Sequence, residues 1–299
     1  MTLDAVKPNG LHGWLVLDKP EGMTSTQAVA RLKRLFSAKK AGHAGTLDPI
    51  ATGVLPVAFG EATKTVPYVQ DGEKSYRFTV RWGVETNTGD CEGEAVAKSG
   101  RRPLSAEIAA LLPRFTGTIA QIPPAFSALK INGQRAYDLA RSGVTPPLSA
   151  RTVMVHAFDL VEAADDMAIF DARCGKGTYV RALARDLGRC LGCYGHVSAL
   201  RRTRVGPFSD TDATDFAELE AGPSLDVFQG VEAGLSELQR VVVDRGGAAR
   251  LRRGQPVLLR GEGMPLEGPA YAACGGVVVA VGAVEKGALV PGRIFYVTA

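Results

Sequence analysis

The sequence predicts an α+β domain followed by a small all-β domain, and three patterns carry that prediction. Lys74 to Trp82 alternates strictly, with Tyr76, Phe78, Val80 and Trp82 on one face and Ser75, Arg77, Thr79 and Arg81 on the other, which is the period of a half-buried strand. Elsewhere apolar residues recur at helical spacing, as in Val180, Leu183, Leu187 and Leu191. From about Asp244 the texture changes to short strands with glycine turns: PVLL at 256–259, YAAC at 271–274, GVVVAVG at 276–282 and RIFYV at 293–297.

From the N-terminal end, Trp14 to Leu17 reads as a strand closed by Asp18, Lys19 and Pro20. The Gly22 turn leads to Thr24, which forms a capping box with Gln27 and opens a helix whose stripe is Ala28, Val29, Leu32, Leu35 and Phe36. Next comes GHAGTLDPIATGVLPVAFG, residues 42–60, which sets one carboxylate, Asp48, among glycines and apolar residues. Pro49 keeps the residue before it out of the α region, so Asp48 is held extended at a sharp change of direction. An isolated Asp-Pro would cap a short helix. Here the glycines at 42, 45, 53 and 60 leave room for another molecule, and GVLPVAF reads as a buried strand behind the acid.

Thr86 to Gly93 is a polar loop, and Ser105 to Leu112 a short helix stopped by Pro113. Residues 123–151 have prolines at both ends, four basic residues (Lys130, Arg135, Arg141, Arg151) against one acid, and a helix around Tyr137 bracketed by Gly133 and Gly143; they read as an excursion from the sheet. Val153 to Leu160 and Met167 to Cys174 form a hairpin pair of strands. A helix then starts at or near Thr178 and places Arg181 in its first turn, where the helix dipole opposes a cation; a carboxylate partner would explain it. Gly175-Lys176-Gly177-Thr178 lacks the glycine spacing of a phosphate-binding loop. Cys190 and Cys193, with His196 three further on, read as residues of a packed turn in preference to a zinc or redox site.

The 299 residues are 45% apolar and 22% charged, ordinary for a soluble protein able to bury a core without disulfides. No leader sequence or membrane-length apolar run is present, and five cysteines without framework spacing fit a reducing compartment, so a cytoplasmic location is expected. Charge is segregated. Residues 209–239 hold eight acids and no Lys or Arg; setting those eight negative charges aside turns the net +4 into +12 on the rest. The basic residues cluster at Arg31, Lys33, Arg34, Lys39 and Lys40; in the 123–151 excursion; at Arg201, Arg202 and Arg204; and at Arg245, Arg250, Arg252 and Arg253. Several such clusters point to a polyanion, nucleic acid foremost.

Five motifs in one order give the chain a family likeness: LDKPEGMTS at 17–25, GHAGTLDPIATGVLPVAFGEATK at 42–64, PPAFSALKINGQRAYDLAR at 123–141, GTYVRALARDLG at 177–188 and LRRTRVGPF at 200–208. On these motifs it resembles the TruB family of tRNA pseudouridine synthases, bacterial type. The resemblance implies a pseudouridine synthase fold with a mixed, mostly antiparallel sheet over residues 1–235, a thumb-like insertion at 123–151, and a PUA-like RNA-binding domain at 244–299. It implies Asp48 as nucleophile, Arg181 as its ionic partner, and Tyr76 as the ring that stacks on the target base. Tyr179 and Leu200 would complete the pocket. His43 would fill the gap left by the flipped base, or simply hydrogen-bond the motif loop. Lys130, Arg141, Arg201 and Arg202 would meet RNA phosphates. The implied substrate is the T-loop uridine at standard tRNA position 55, with no cofactor, no metal and no protein partner, in a monomer. Two alternatives stay open: a guide-RNA-dependent relative, and an RNA-binding or RNA-folding module without turnover. The basic insertion and the short C-terminal end favour the stand-alone enzyme, and a non-catalytic module has no need of Asp48 and Arg181 together.

Overall fold

A computed structural model describes residues 10–127, 129–131, 133–142, 147–259 and 265–297. Along the chain these form β1 (Gly13–Lys19), α1 (Ser25–Leu35), β2 (Ala41–His43), β3 (Ala51–Phe59), α2 (Val66–Asp71), β4 (Lys74–Trp82), β5 (Val84–Thr86), β6 (Ala95–Lys98), α3 (Ser105–Leu111) and β7 (Gly117–Gln121). The excursion follows as β8 (Lys130–Ile131), β9 (Gln134–Arg135) and α4 (Ala136–Arg141). Then come β10 (Arg151–Ala163), β11 (Met167–Cys174), α5 (Val180–Cys190), β12 (Gly195–Val205), β13 (Phe208–Ser209), β14 (Thr214–Asp215) and α6 (Phe216–Ala221). The chain closes with β15 (Gln239–Val242), α7 (Arg245–Arg252), β16 (Val257–Leu258), β17 (Gly268–Cys274), β18 (Val277–Glu285) and β19 (Ala288–Ile294).

The main sheet runs β14-β1-β3-β12-β4-β11-β10-β7, with β2 on β3 and β13 on β12. Only β1–β14 and β3–β12 pair in parallel, so the sheet is mixed and mostly antiparallel, as the resemblance implies. Register brings the implied site residues together: Leu200 on β12 lies between Ala51 of β3 and Phe78 of β4, and Arg202 lies between Gly53 and Tyr76. That close approach needs glycine, because Gly53 sits at φ +97° and a Cβ there would stand 2.2 Å from the Arg202 carbonyl oxygen.

One face of the sheet is covered by α1, α3 and α5 over Leu15, Leu55, Phe78, Val80, Phe158 and Phe170. The helix α5 contributes Val180, Leu183 and Leu187 to that core, each stabilising by roughly 1.5–3 kcal/mol. This outweighs the dipole penalty of about 0.3–1 kcal/mol for a cation in the first turn, which is how Arg181 can be held there. The α1 cap is as expected: the Gln27 amide donates to Thr24 Oγ1 at 3.1 Å and the Thr24 amide to Gln27 Oε1 at 2.9 Å.

The C-terminal region forms the small sheet domain expected there, with one helix the sequence did not suggest. Its sheet, β15-β17-β18-β19-β16, begins at Gln239 and carries the helix α7, capped by the Asp244 carboxylate on the Gly247 amide. Glycines 246 and 247 break the helical pattern in the sequence, so the helix rests on its cap and on buried Ala248 and Leu251. The last strand ends at Ile294, and PVLL contributes only Val257 and Leu258. The sheet packs on the other face of the main sheet: Tyr271, Val278, Val281 and Phe295 share one core with Trp14, Val16, Val54, Ala58 and Phe208. At the seam Lys64 Nζ donates to the Ile294 carbonyl at 2.8 Å, and the Tyr296 amide donates to Glu61 Oε2 at 2.7 Å.

The acidic stretch is structural where its partners are defined. Asp210 pairs with Arg201, Glu220 stands 3.8 Å from Arg31, and Asp215 caps α6.

Candidate active site

The loop carrying Asp48 is held from three sides by side chains of α1, β1 and β12. Ser25 Oγ, at the start of α1, accepts from the Leu47 amide at 2.8 Å and donates to the Leu47 carbonyl at 3.1 Å. Lys19, fully buried at the end of β1, donates to the carbonyls of Pro20, Met23 and Pro49 at 2.8, 2.7 and 3.3 Å. Burial, partly offset by nearby Asp48, pushes the Lys19 ammonium down to about 8. Arg202, only 2% exposed on β12, donates to the carbonyls of Val54, Gly45 and Thr46 at 2.9, 3.1 and 3.4 Å. Lys19 thus ties the end of β1 to the turn before α1 and to the Asp48 loop.

Asp48 meets Arg181 directly: Arg181 Nε lies 2.9 Å from Asp48 Oδ2. The Arg181 side chain is 5% exposed, and the other two nitrogens are also committed. Nη1 donates to the Thr88 carbonyl at 2.7 Å and stands 3.4 Å from Asp90 Oδ2; Nη2 donates to the Phe126 carbonyl at 2.8 Å. One guanidinium therefore joins the Asp48 loop, the loop between β5 and β6, and the root of the excursion. Asp90 is itself fixed, accepting from Thr88 Oγ1 at 2.6 Å and the Glu92 amide at 3.1 Å.

The pair sets the electrostatics in a way the sequence only half suggests. Arg181 favours the ionised acid, yet burial pushes the Asp48 carboxyl above its ordinary range, and the charge of Asp90 adds to that push. A guanidinium shared with Asp90 does not fully offset the lost hydration of Asp48.

A cavity of about 440 Å³ opens on the acid, lined by Thr46, Asp48, Tyr76, Tyr179, Arg181 and Leu200 and extending past Lys74 and Thr178. Tyr76, Tyr179 and Leu200 are thus brought together in one cavity with Asp48. The Tyr179 backbone is clamped by buried Gln121, whose Oε1 accepts from the Tyr179 amide at 2.8 Å and whose Nε2 donates to its carbonyl at 3.1 Å. Helix α5 starts at Val180, so Tyr179 is the residue before the first turn and its ring is free to face the cavity. Burial also pushes Lys74, which donates to the carbonyls of Gln70 and Gly72 at the end of α2, down to about 8.

Other expected residues are placed differently. His43 lies on β2, outside the residues lining the cavity; burial and the charge of Arg202 lower its pKa, so its ring is neutral at pH 7. Arg202 is no phosphate contact, because its donors are spent inside the protein. Arg201 is paired bidentately to Asp18 at 3.0 and 2.8 Å and bonded to Asp210 at 2.8 Å, so it too is no open cation. Lys130 and Arg141 lie on β8 and α4, where the backbone is described; their side chains, like Gly143, lie outside the described residues. His196 Nδ1 contacts the Val84 carbonyl at 2.9 Å and Cys193 is buried as a packed turn requires, whereas Cys190, the last residue of α5, is exposed. Asp90 and Gln121 were not legible, since nothing in a polar loop or a strand end marks which side chain turns inward. Among the described residues no group of three His, Cys, Asp or Glu stands placed to hold a metal ion.

Arg202→Met is expected to lower stability by at least about 2 kcal/mol, because three buried carbonyls lose their donor. Thermal denaturation measures this, and an unchanged midpoint would show that the loop holds its shape without the guanidinium.

Comparisons with known proteins point to one family. Residues 33–180 match the family described as TruB family pseudouridylate synthase (N terminal domain), and residues 181–226 match the tRNA pseudouridylate synthase B C-terminal domain. A tRNA pseudouridine synthase B of Rhodopseudomonas palustris is 58% identical, the match covering 96% of this chain and 82% of the relative. That of Rhizobium meliloti is 52% identical over 97% of both. Among solved structures, a chain of a Cbf5-Nop10-Gar1 complex superposes with a TM-score of 0.73 at 25% identity, covering 99% of this chain and 87% of that one. A buried arginine on an acid in a Gly-rich loop, set on this sheet and joined to full-length likeness above half identity, leads to one conclusion: the chain belongs to the TruB family of tRNA pseudouridine synthases.

Proposed function

We propose that the enzyme isomerises the T-loop uridine at standard position 55 of tRNA, acting on a base turned out of its stack and using Asp48 without a cofactor. The observation that carries this reading is the Asp48–Arg181 pair at 2.9 Å, exposed to a cavity walled by Tyr76 and Leu200. The reaction breaks the N1–C1′ bond, turns the base and joins C5 to C1′; C5 gives up a proton and N1 gains one, so atoms and electrons balance within the nucleotide. Asp48, with 36% of its side chain exposed, reaches the sugar as an anion, either attacking carbon or stabilising and deprotonating a sugar cation. Arg181 keeps it ionised against the pull of burial. Tyr76 stacks on the base and Leu200 excludes water.

A paired base cannot enter such a cavity, so the uridine leaves the loop stack at a cost of a few kcal/mol. The neutral His43 ring is suited to fill the gap. Lys130 and Arg141 of the thumb-like excursion, with the exposed Lys33, Arg34, Lys39 and Lys40, for which the described residues offer no ion pair, supply phosphate contacts. The C-terminal sheet, from about residue 239, acts as a PUA-like RNA-binding unit. The enzyme works as a cytoplasmic monomer without a protein partner.

The likeness to the Cbf5 complexes keeps the guide-RNA-dependent reading in view. Purified protein with one unmodified tRNA is expected to form pseudouridine at position 55 alone. No product, or product only with an added guide RNA or partner protein, would sink the stand-alone reading.

A further inference from the structure

Three buried side-chain polar atoms of the described residues have no hydrogen-bond partner: His43 Nδ1, Trp82 Nε1 and Ser127 Oγ. Only Ser127 lines the cavity that holds Asp48. It is 4% exposed, and a hydroxyl left unpaired at that depth costs stability.

Its position is fixed by its neighbours. The preceding carbonyl, that of Phe126, accepts from Arg181 Nη2 at 2.8 Å, so the Ser127 backbone is tied to the guanidinium that touches Asp48. The Ser127 carbonyl accepts from the Tyr137 amide of α4 at 3.0 Å, and its own amide donates to Ala125 at 3.1 Å. The backbone is thus satisfied on both sides while the side chain is not. A hydroxyl can donate one hydrogen bond and accept two, and a uridine offers O2, N3–H, O4 and the ribose 2′-hydroxyl.

We propose that Ser127 Oγ is a substrate-binding group of this site, hydrogen-bonded to a polar atom of the everted pyrimidine nucleotide, which completes the bonding the free protein lacks. The proposal rests on the uridine-isomerising reading above. In it the root of the excursion serves both ends of the reaction: the Phe126 carbonyl orients Arg181, and the next residue holds the nucleotide.

The test is Ser127→Ala in the full chain, assayed on a T-arm stem-loop RNA. The single-turnover efficiency is expected to fall about tenfold, the scale of one lost hydrogen bond, while the thermal midpoint of the free protein holds or rises. Conversion equal to wild type would overturn the proposal, and so would a fall in the midpoint, which would reveal a partner within the protein. Binding measured in an Asp48→Asn background distinguishes the atom class, using stem-loops with uridine or 2′-deoxyuridine at the target. Weakening by Ser127→Ala with both RNAs assigns the contact to the base, weakening with uridine alone assigns it to the ribose, and weakening with neither overturns it. If wild-type protein fails to convert the stem-loop, the functional reading falls and this contact with it; if wild type converts and Ser127→Ala matches it, only the contact falls.

Discussion

Asp48→Asn is expected to lower turnover by about 10⁴-fold or more, with RNA binding retained and the thermal midpoint of the protein undiminished. The amide keeps the shape of the side chain and removes the anion. The stability half of this expectation follows from the direction of the pKa. Burial raises the Asp48 carboxyl above its unfolded value, so the folded chain binds that proton more tightly than the unfolded chain does. The stability contributed by this group therefore declines as pH rises through the window between the two values, and at neutral pH the ionised acid is a burden on the fold. Asparagine lifts that burden, and Arg181 still has Asp90. A single-turnover assay with a melting curve on the same sample reads both halves. Activity within tenfold of wild type would remove Asp48 from its role.

Arg181→Met should produce the other large effect, on stability and on the pH profile together. Methionine keeps much of the apolar stem but leaves Asp90, its side chain 5% exposed, without a cation, at a cost of about 3–5 kcal/mol. At Asp48, removal of the guanidinium takes away the principal influence that lowers its pKa, so the carboxyl rises further. Activity that requires the anion then falls away at a higher pH than in wild type as the solution is acidified. Lysine should rescue only in part, because Arg181 uses three separate nitrogens toward Asp48, the Thr88 and Asp90 pair, and Phe126, and one ammonium cannot reach them all. The pH dependence of the single-turnover rate decides the matter. Equal loss at every pH would make the arginine a positioning group alone, and no loss at all would sever the pair from the reaction.

The parts of this site that were legible in the sequence are those marked by local rules. Asp48 stands out because proline and glycines restrict its backbone, and Arg181 because a cation in a first helical turn needs a reason. The alternation at Lys74–Trp82 placed Tyr76 on a strand, and register did the rest. What was not legible depends on where a polar chain points once strands are paired. Arg201 and Arg202 look identical in sequence, yet successive residues on a strand face opposite ways. One meets Asp18 and Asp210 near the surface, and the other is sealed under the Asp48 loop. Charge counting treated both as RNA-facing. The helix α7 was missed for a related reason: its glycine pair argues against a helix locally, and only the packing of Ala248 and Leu251 on the C-terminal sheet overrides it.

The core shared by the two sheets has a consequence for truncation. Tyr271, Val281 and Phe295 are packed against Trp14, Val16 and Phe208, so the C-terminal sheet serves as the cover of the catalytic sheet, and cutting it away would lay bare an apolar face to water.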